Sequence, residues 1–178
     1  MTKHSAAAAA LFACMLSFAA HAEKFALKLV GFQETPLTLS SPASGEFEAT
    51  ISPNDDSITW ELSYRDFPTA VQQAHIHLGQ RATTGGVSIF LCSNLGNGPA
   101  GTLACPQMGT IGGVITAANV IGPAAQGIAP GELAEIIAAI RAGYAYVNVH
   151  TTQFPGGEIR AQFHRRHPDR GHGNEHRD

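Results

Sequence analysis

Three short stretches of this chain carry apolar residues at every second position, and a period of two cannot be laid on a helix. Phe25, Leu27 and Leu29 alternate with Ala26, Lys28 and Val30; Phe47, Ala49 and Ile51 with Glu46, Glu48 and Thr50; Ile58, Trp60, Leu62 and Tyr64 with Thr59, Glu61, Ser63 and Arg65. Successive side chains of a strand point to opposite faces, so each stretch has one face for a core and one away from it. Gly31 stops the first, and Pro53-Asn54-Asp55-Asp56-Ser57 is turn chemistry that predicts a hairpin between the other two. Further strands are expected around Ala74-His75-Ile76-His77, at Val87 to Cys92, at Tyr144 to Thr151 and at Gly157 to Phe163, the last two joined by a short Pro-Gly-Gly hairpin connection. Ser93 to about Gly127 is rich in Gly, Pro and Ala and reads as one long loop. One helix is predicted after Pro130, where Leu133, Ile136, Ile137 and Ile140 recur at helical spacing, Arg141 lies near the end and Gly143 is the stop. About seven short strands separated by turn signals predict an all-β protein, an antiparallel Greek-key β-sandwich with one short helix.

The first 22 residues read as a secretory signal. Lys3 supplies the positive charge, Ala6 to Ala20 an apolar run too short to span a bilayer, and Ala20-His21-Ala22 a small-x-small cleavage site. The mature chain is therefore expected to start at Glu23 and to be secreted or periplasmic, with no transmembrane segment. A lipoprotein signal at Leu11-Phe12-Ala13-Cys14 is the alternative, and Phe12 fits it poorly. Beyond the leader only Cys92 and Cys105 remain, and in an oxidising compartment two cysteines allow one intramolecular disulfide. A loop of about 15 residues closed in this way contributes roughly 3 kcal/mol through the entropy of the unfolded chain.

Residues 23–163 are enough for one domain with one core. Acidic residues outnumber basic ones there, 11 to 6, so the domain has no basic footprint for nucleic acid. Residues 164–178 differ in composition: His164, His167, His172 and His176 accompany four arginines and almost nothing apolar, which predicts a disordered tail whose composition either binds metal or merely stays solvated.

Chemistry concentrates in two segments far apart in the sequence. His75 and His77 share one face of their predicted strand, opposite Ala74 and Ile76; Tyr146, Asn148 and His150 share one face of theirs, opposite Val147 and Val149; Glu158, Arg160 and Gln162 do the same opposite Ile159, Ala161 and Phe163. Pairing of these strands gathers imidazoles, a carboxylate and a guanidinium on one polar face, expected to lie outside the core. Three neutral imidazoles suit copper, zinc or nickel rather than magnesium or calcium. His75, His77 and His150 are the candidate ligands, with water, Glu158 or His164 as a fourth, Asn148 in support, and Arg160 either paired with Glu158 or holding an anion. The competing reading makes the histidines structural, bonded to one another, to Asn148 and to backbone. No nucleophile elbow, phosphate loop or dinucleotide fingerprint is present.

Leu29-Val30-Gly31-Phe32-Gln33-Glu34-Thr35-Pro36, the Gly45-containing second strand, Ala74-His75-Ile76-His77-Leu78-Gly79, Gly86-Val87, Tyr146-Val147-Asn148-Val149-His150-Thr151 and Gly156-Gly157-Glu158-Ile159-Arg160 together resemble the chordin-type (CHRD) domain family, from about Phe25 to Phe163. That resemblance implies an exported β-sandwich module and no particular activity. More distantly, the chain is similar to copper/zinc superoxide dismutase: His75-x-His77 and His150 match copper ligands of that family, and Arg160 its anion-attracting arginine. The sandwich is thus expected to be immunoglobulin-like or superoxide-dismutase-like. Ser93 to Gly127 holds no histidine or aspartate, so nothing matches the zinc-binding loop and dismutase activity is not implied. Two functions follow as expectations: an exported metal-binding module, copper before zinc, or a non-catalytic interaction module that meets an extracellular protein or polymer.

Overall fold

A computed structural model of the 178-residue chain describes residues 21–164. All of the expected leader but His21 and Ala22, and all of the expected tail but His164, lie outside the described residues.

The alternating stretches are strands. β1 (Glu23–Val30), β2 (Ser44–Ile51) and β3 (Ile58–Arg65) form an antiparallel meander whose register runs unbroken from Glu23↔Ile51 to Val30↔Ser44 and from Ser44↔Arg65 to Ile51↔Ile58. Phe25, Leu27, Leu29, Phe47, Ala49, Ile51, Ile58, Trp60, Leu62 and Tyr64 are buried on one face, while Lys24, Lys28, Glu46, Glu48, Thr59 and Glu61 are exposed on the other. β4 (Val71–Leu78) and β5 (Gly86–Ser93) make a hairpin, β7 (Ala145–Thr151) pairs with β4, and β8 (Ile159–Gln162) pairs with β7. β6 (Gly109–Ile115) pairs with β3.

The eight strands form one antiparallel sheet in the order β5-β4-β7-β8-β1-β2-β3-β6. Its two four-stranded halves meet at β8 and β1 through a single paired position, Val30↔Arg160, which lets the halves fold face to face. Phe163 bridges them, edge-on to Phe25 at 5.6 Å and to Phe47 at 6.0 Å. At the other end the edge strands β5 and β6 face each other across a cleft of about 210 Å³ lined by Phe90, Leu91, Trp60 and Gly112 to Ile115. The result is the expected all-β sandwich, closed almost to a barrel. Helix α1 (Leu133–Ala142) is also as expected: Leu133, Ile136, Ile137 and Ile140 are buried, and Gly143 ends it in the left-handed region at φ 78°. Each such burial contributes about 1.5–3 kcal/mol. Cys92 and Cys105 form the expected disulfide.

One expectation fails. Ser93 to Gly127 is not a single loop, because β6 lies within it and completes the half that carries β1, β2 and β3. Its glycines hid it, since glycine is a poor strand former. The packing explains them: a Cβ on Gly112 would sit 2.7 Å from the carbonyl oxygen of Trp60, and one on Gly113 would press on the Trp60 indole at 3.4 Å. Close approach to Trp60 outweighs propensity there.

Candidate metal centre

Cross-strand pairing aligns the polar residues of β4, β7 and β8 into rows. His75 stands opposite Asn148 and Asn148 opposite Arg160; His77 stands opposite Tyr146 and Tyr146 opposite Gln162; a register shift between Val71 and Gln73 brings Gln73 opposite His150. The three histidines, from segments more than 70 residues apart, thus meet on one patch. Their ring centroids are 4.8 Å (His75 to His150), 5.3 Å (His75 to His77) and 5.9 Å (His77 to His150) apart.

This patch is not outside the protein interior, contrary to the expectation from alternation. His75, His77 and His150 retain only 2%, 6% and 6% of their surface, and Asn148, Glu158, Arg160 and Gln162 are buried as well. The alternation does place them opposite the apolar core, but a second cover made of loops roofs them. Arg160 fastens that roof: Nη1 donates to Thr35 Oγ1 and to the Thr83 carbonyl (2.8 Å), and Nη2 to the Gln80 carbonyl (3.2 Å) and Gln162 Oε1 (2.9 Å). Gln162 Nε2 adds contacts to the carbonyls of Gly79, Gly143 and Ala145. The β7–β8 connection closes the other side. Gly157, at φ 127°, has no room for a side chain, since a Cβ would lie 2.5 Å from Asn148 Nδ2 and 2.8 Å from both Glu34 carboxylate oxygens.

Hydrogen bonds fix the ring orientations. His77 Nδ1–H donates to the Gly85 carbonyl at 3.0 Å, and His150 Nδ1–H to the Pro155 carbonyl at 2.9 Å, which leaves Nε2 of both rings unprotonated in the neutral state. His150 Nε2 then accepts from His75 Nδ1–H at 3.0 Å. Nε2 of His75 and Nε2 of His77 are buried with no hydrogen-bond partner. One nitrogen from each ring lies within 4.8 Å of the others. Three nitrogens on one ion at about 2.0–2.1 Å stand about 3.4–3.6 Å apart, so a coordination shell needs the rings to draw together by up to about 1.3 Å and His150 Nε2 to exchange its bond from His75 for the ion. Anchoring of the far Nδ1–H on a carbonyl is the arrangement that orients metal-binding imidazoles.

Electrostatics keep the trio neutral. Burial, reinforced by His150 and His77, pushes His75 down to about 2; burial, partly opposed by the Gly85 carbonyl, pushes His77 down to about 4; burial also lowers His150. Around them His75 meets Phe90 edge-on at 4.4 Å, and His77 stacks on Tyr146 at 4.7 Å with the rings 5° from parallel. The Arg160 guanidinium carbon lies 3.5 Å from the centre of the same Tyr146 ring.

The supporting residues are distributed differently from what the sequence suggested. Glu158 is not beside the imidazoles; its oxygens accept from Ser41 Oγ and Thr151 Oγ1, both at 2.6 Å. It does not pair with Arg160 either, whose terminal donors all go to neutral acceptors. His164 is exposed and does not join the cluster. Asn148 lies in the row between His75 and Arg160, its Oδ1 buried without a partner of good geometry. Glu34 is the residue that sequence reasoning missed. It is buried on the roof side, its Oε1 has no partner, and burial, partly offset by Arg160, raises its carboxyl to about 7. Its only signal was its place in Gly31-Phe32-Gln33-Glu34-Thr35-Pro36, which carries no periodicity.

Comparison with known proteins agrees with the motifs. No curated protein and no solved structure matches the chain. The family model described as the CHRD domain matches residues 25–163, from the third residue of β1 to just beyond β8, and so takes in every strand and the whole histidine cluster. By that match the chain belongs to the CHRD domain family.

Proposed function

We propose that this CHRD-domain protein is exported and that His75, His77 and His150 hold a transition metal ion, copper in preference to zinc, for storage or delivery. The observation that carries this reading is the pair of buried, unpartnered nitrogens, Nε2 of His75 and of His77, beside a third imidazole. Leaving such groups without partners costs about 1–3 kcal/mol each, a cost that coordination removes. A catalytic centre keeps one position open to substrate; here the rings are roofed, which favours holding over turnover. Export is supported by the Cys92–Cys105 disulfide and by the leader-like residues 1–22. Among the described residues no helix is long and apolar enough to cross a membrane.

The test is metal content by mass spectrometry and unfolding midpoint for the protein with residues 165–178 removed, alongside His75→Ala, His77→Ala and His150→Ala. One bound copper or zinc per chain is expected, with affinity falling about 100-fold or more in each variant. A second reading rests on the 3.0 Å bond between His75 and His150, which already pairs two rings without an ion. Under it the histidines are structural and the domain meets an extracellular protein or polymer. The variants would then lose about 1–3 kcal/mol of stability with no metal to lose.

A further inference from the structure

The proposed centre is unusual in its charge. All three candidate ligands are neutral imidazoles, and no carboxylate completes the set: among the described residues the groups able to hold an ion together are His75, His77 and His150 alone. The buried carboxylate closest along the strand, Glu158, is committed to two hydroxyls. What lies behind the trio instead is a cation, and the buried carboxyl that couples to it, Glu34, is outside the set of groups able to hold the ion. Arg160 is 2% exposed, and its guanidinium faces the Tyr146 ring on which His77 is stacked.

From this we infer that the centre selects singly charged copper, Cu(I), over Cu(II) and Zn(II), and that Arg160, acting through Tyr146, is the residue that sets the preference. The inference rests on the metal-holding reading above. The cost of taking an ion from water into a buried site rises with the square of its charge, so a divalent ion loses about four times as much as a monovalent ion of equal radius. Divalent ions held by three imidazoles keep water or hydroxide in an open fourth position, and other divalent sites bring thiolates or carboxylates; this one is roofed and has neither among its candidate ligands. Repulsion from the guanidinium is likewise twice as large for a divalent ion. The coordination number agrees. Structural zinc takes four ligands, and the candidate fourth ligands Glu158 and His164 are both elsewhere. Three imidazoles under a closed roof suit an ion content with three.

The experiment is an anaerobic titration of the full chain with Cu(I) buffered by bicinchoninate, and separate titrations with Cu(II) and Zn(II) buffered by chelators. The double variant His75→Ala/His150→Ala keeps every other histidine, and its binding is subtracted. Cu(I) is expected to bind about 100-fold or more tightly than either divalent ion. Two variants add the missing negative charge: Asn148→Asp, between His75 and Arg160, and the half-buried Gln73→Glu, opposite His150. Whichever of them folds should narrow the preference about tenfold. Equal or tighter binding of Zn(II) or Cu(II) by the wild type overturns the inference and leaves the metal centre standing. A preference unmoved by an added carboxylate overturns the role given to charge. Binding of none of the three ions removes the metal centre and the inference with it.

Discussion

The outer face of β1, β2 and β3 and the outer face of β4, β7 and β8 are written in the same alternating code, yet one is wet and the other is sealed. Lys24, Lys28, Glu46, Glu48, Thr59 and Glu61 stand in solvent, whereas His75, His77, Asn148, His150, Arg160 and Gln162 are buried. Alternation decides which side chains leave the core; it does not decide what waits on the other side. Among the described residues nothing covers that face of the meander. Over the second half the roof fastened by Arg160 closes at Gln80, Thr83 and Thr35, and the β7–β8 connection closes at Pro155. A polar residue on a roofed face must find a partner inside the protein, which is why this face carries an arginine with four acceptors and imidazoles tied to carbonyls.

The contrast should be largest at Arg160. Arg160→Met strands the Thr83 and Gln80 carbonyls and the Gln162 amide, and the loss expected is about 3 kcal/mol or more, read as the urea midpoint. Thr59→Val, on the open face, should move stability by no more than about 0.5 kcal/mol. Equal effects at the two positions would mean that the roof is not held as described.

Acid should come next, and only the roofed face should feel it. In the unfolded chain His75 and His77 titrate near 6.5, while folded they stay neutral until about 2 and about 4. Depressed histidines stabilise the fold fully above the unfolded pKa, and that stability is lost as pH falls below it, because only the unfolded chain takes up the protons. From pH 7 to pH 5 the two together cost about 4 kcal/mol. Glu34 works the other way: raised to about 7, it binds a proton in the folded state first and returns about 2 kcal/mol over the same interval. A net fall of at least about 2 kcal/mol is therefore expected, since the depressed His150 adds to it, and it is deepened in Glu34→Gln, where the compensating proton is absent. A flat profile between pH 7 and pH 5 would show that the imidazoles are not sealed.

The same division explains what could be read from the chain alone. Strands β1, β2 and β3 and helix α1 follow from Phe25 to Tyr64 and from Leu133 to Ile140 because burial on one side writes a period into the residues. His75, His77 and His150 could be brought together because strand pairing needs only that same period. The roof leaves no such mark. Apart from the Thr35 hydroxyl, its contacts are backbone carbonyls, at Gly79, Gln80, Thr83 and Pro155, which any residue supplies. Glu34 was therefore legible as part of a motif and not as a buried acid, and the depth of the histidines was not legible at all. β6 was hidden for a related reason: Gly112 and Gly113 answer to Trp60 across the sheet, and a contact so distant in sequence has no local signature.

The smallest effect belongs to the other well-bonded arginine. Arg141, at the end of α1, donates from Nε and Nη2 to Glu23 Oε1 and from Nη1 and Nη2 to Asp55 Oδ2 and Oδ1, both at 2.7 Å. It makes as many bonds as Arg160, and to carboxylates rather than neutral oxygens, so a count of contacts would rank it higher. Yet more than a third of its side chain and of the Asp55 side chain is exposed. Water replaces the bonds when they break, and dissolved salt screens them while they last. Arg141→Ala is therefore expected to cost only about 0.5–1 kcal/mol, shrinking further when unfolding is measured in 1 M sodium chloride. The Arg160→Met loss should be unchanged by that salt, because it comes from acceptors left dry rather than from charges held apart. A salt-insensitive loss of several kcal/mol at Arg141 would show that bond count, and not the roof, sets the worth of an arginine in this fold.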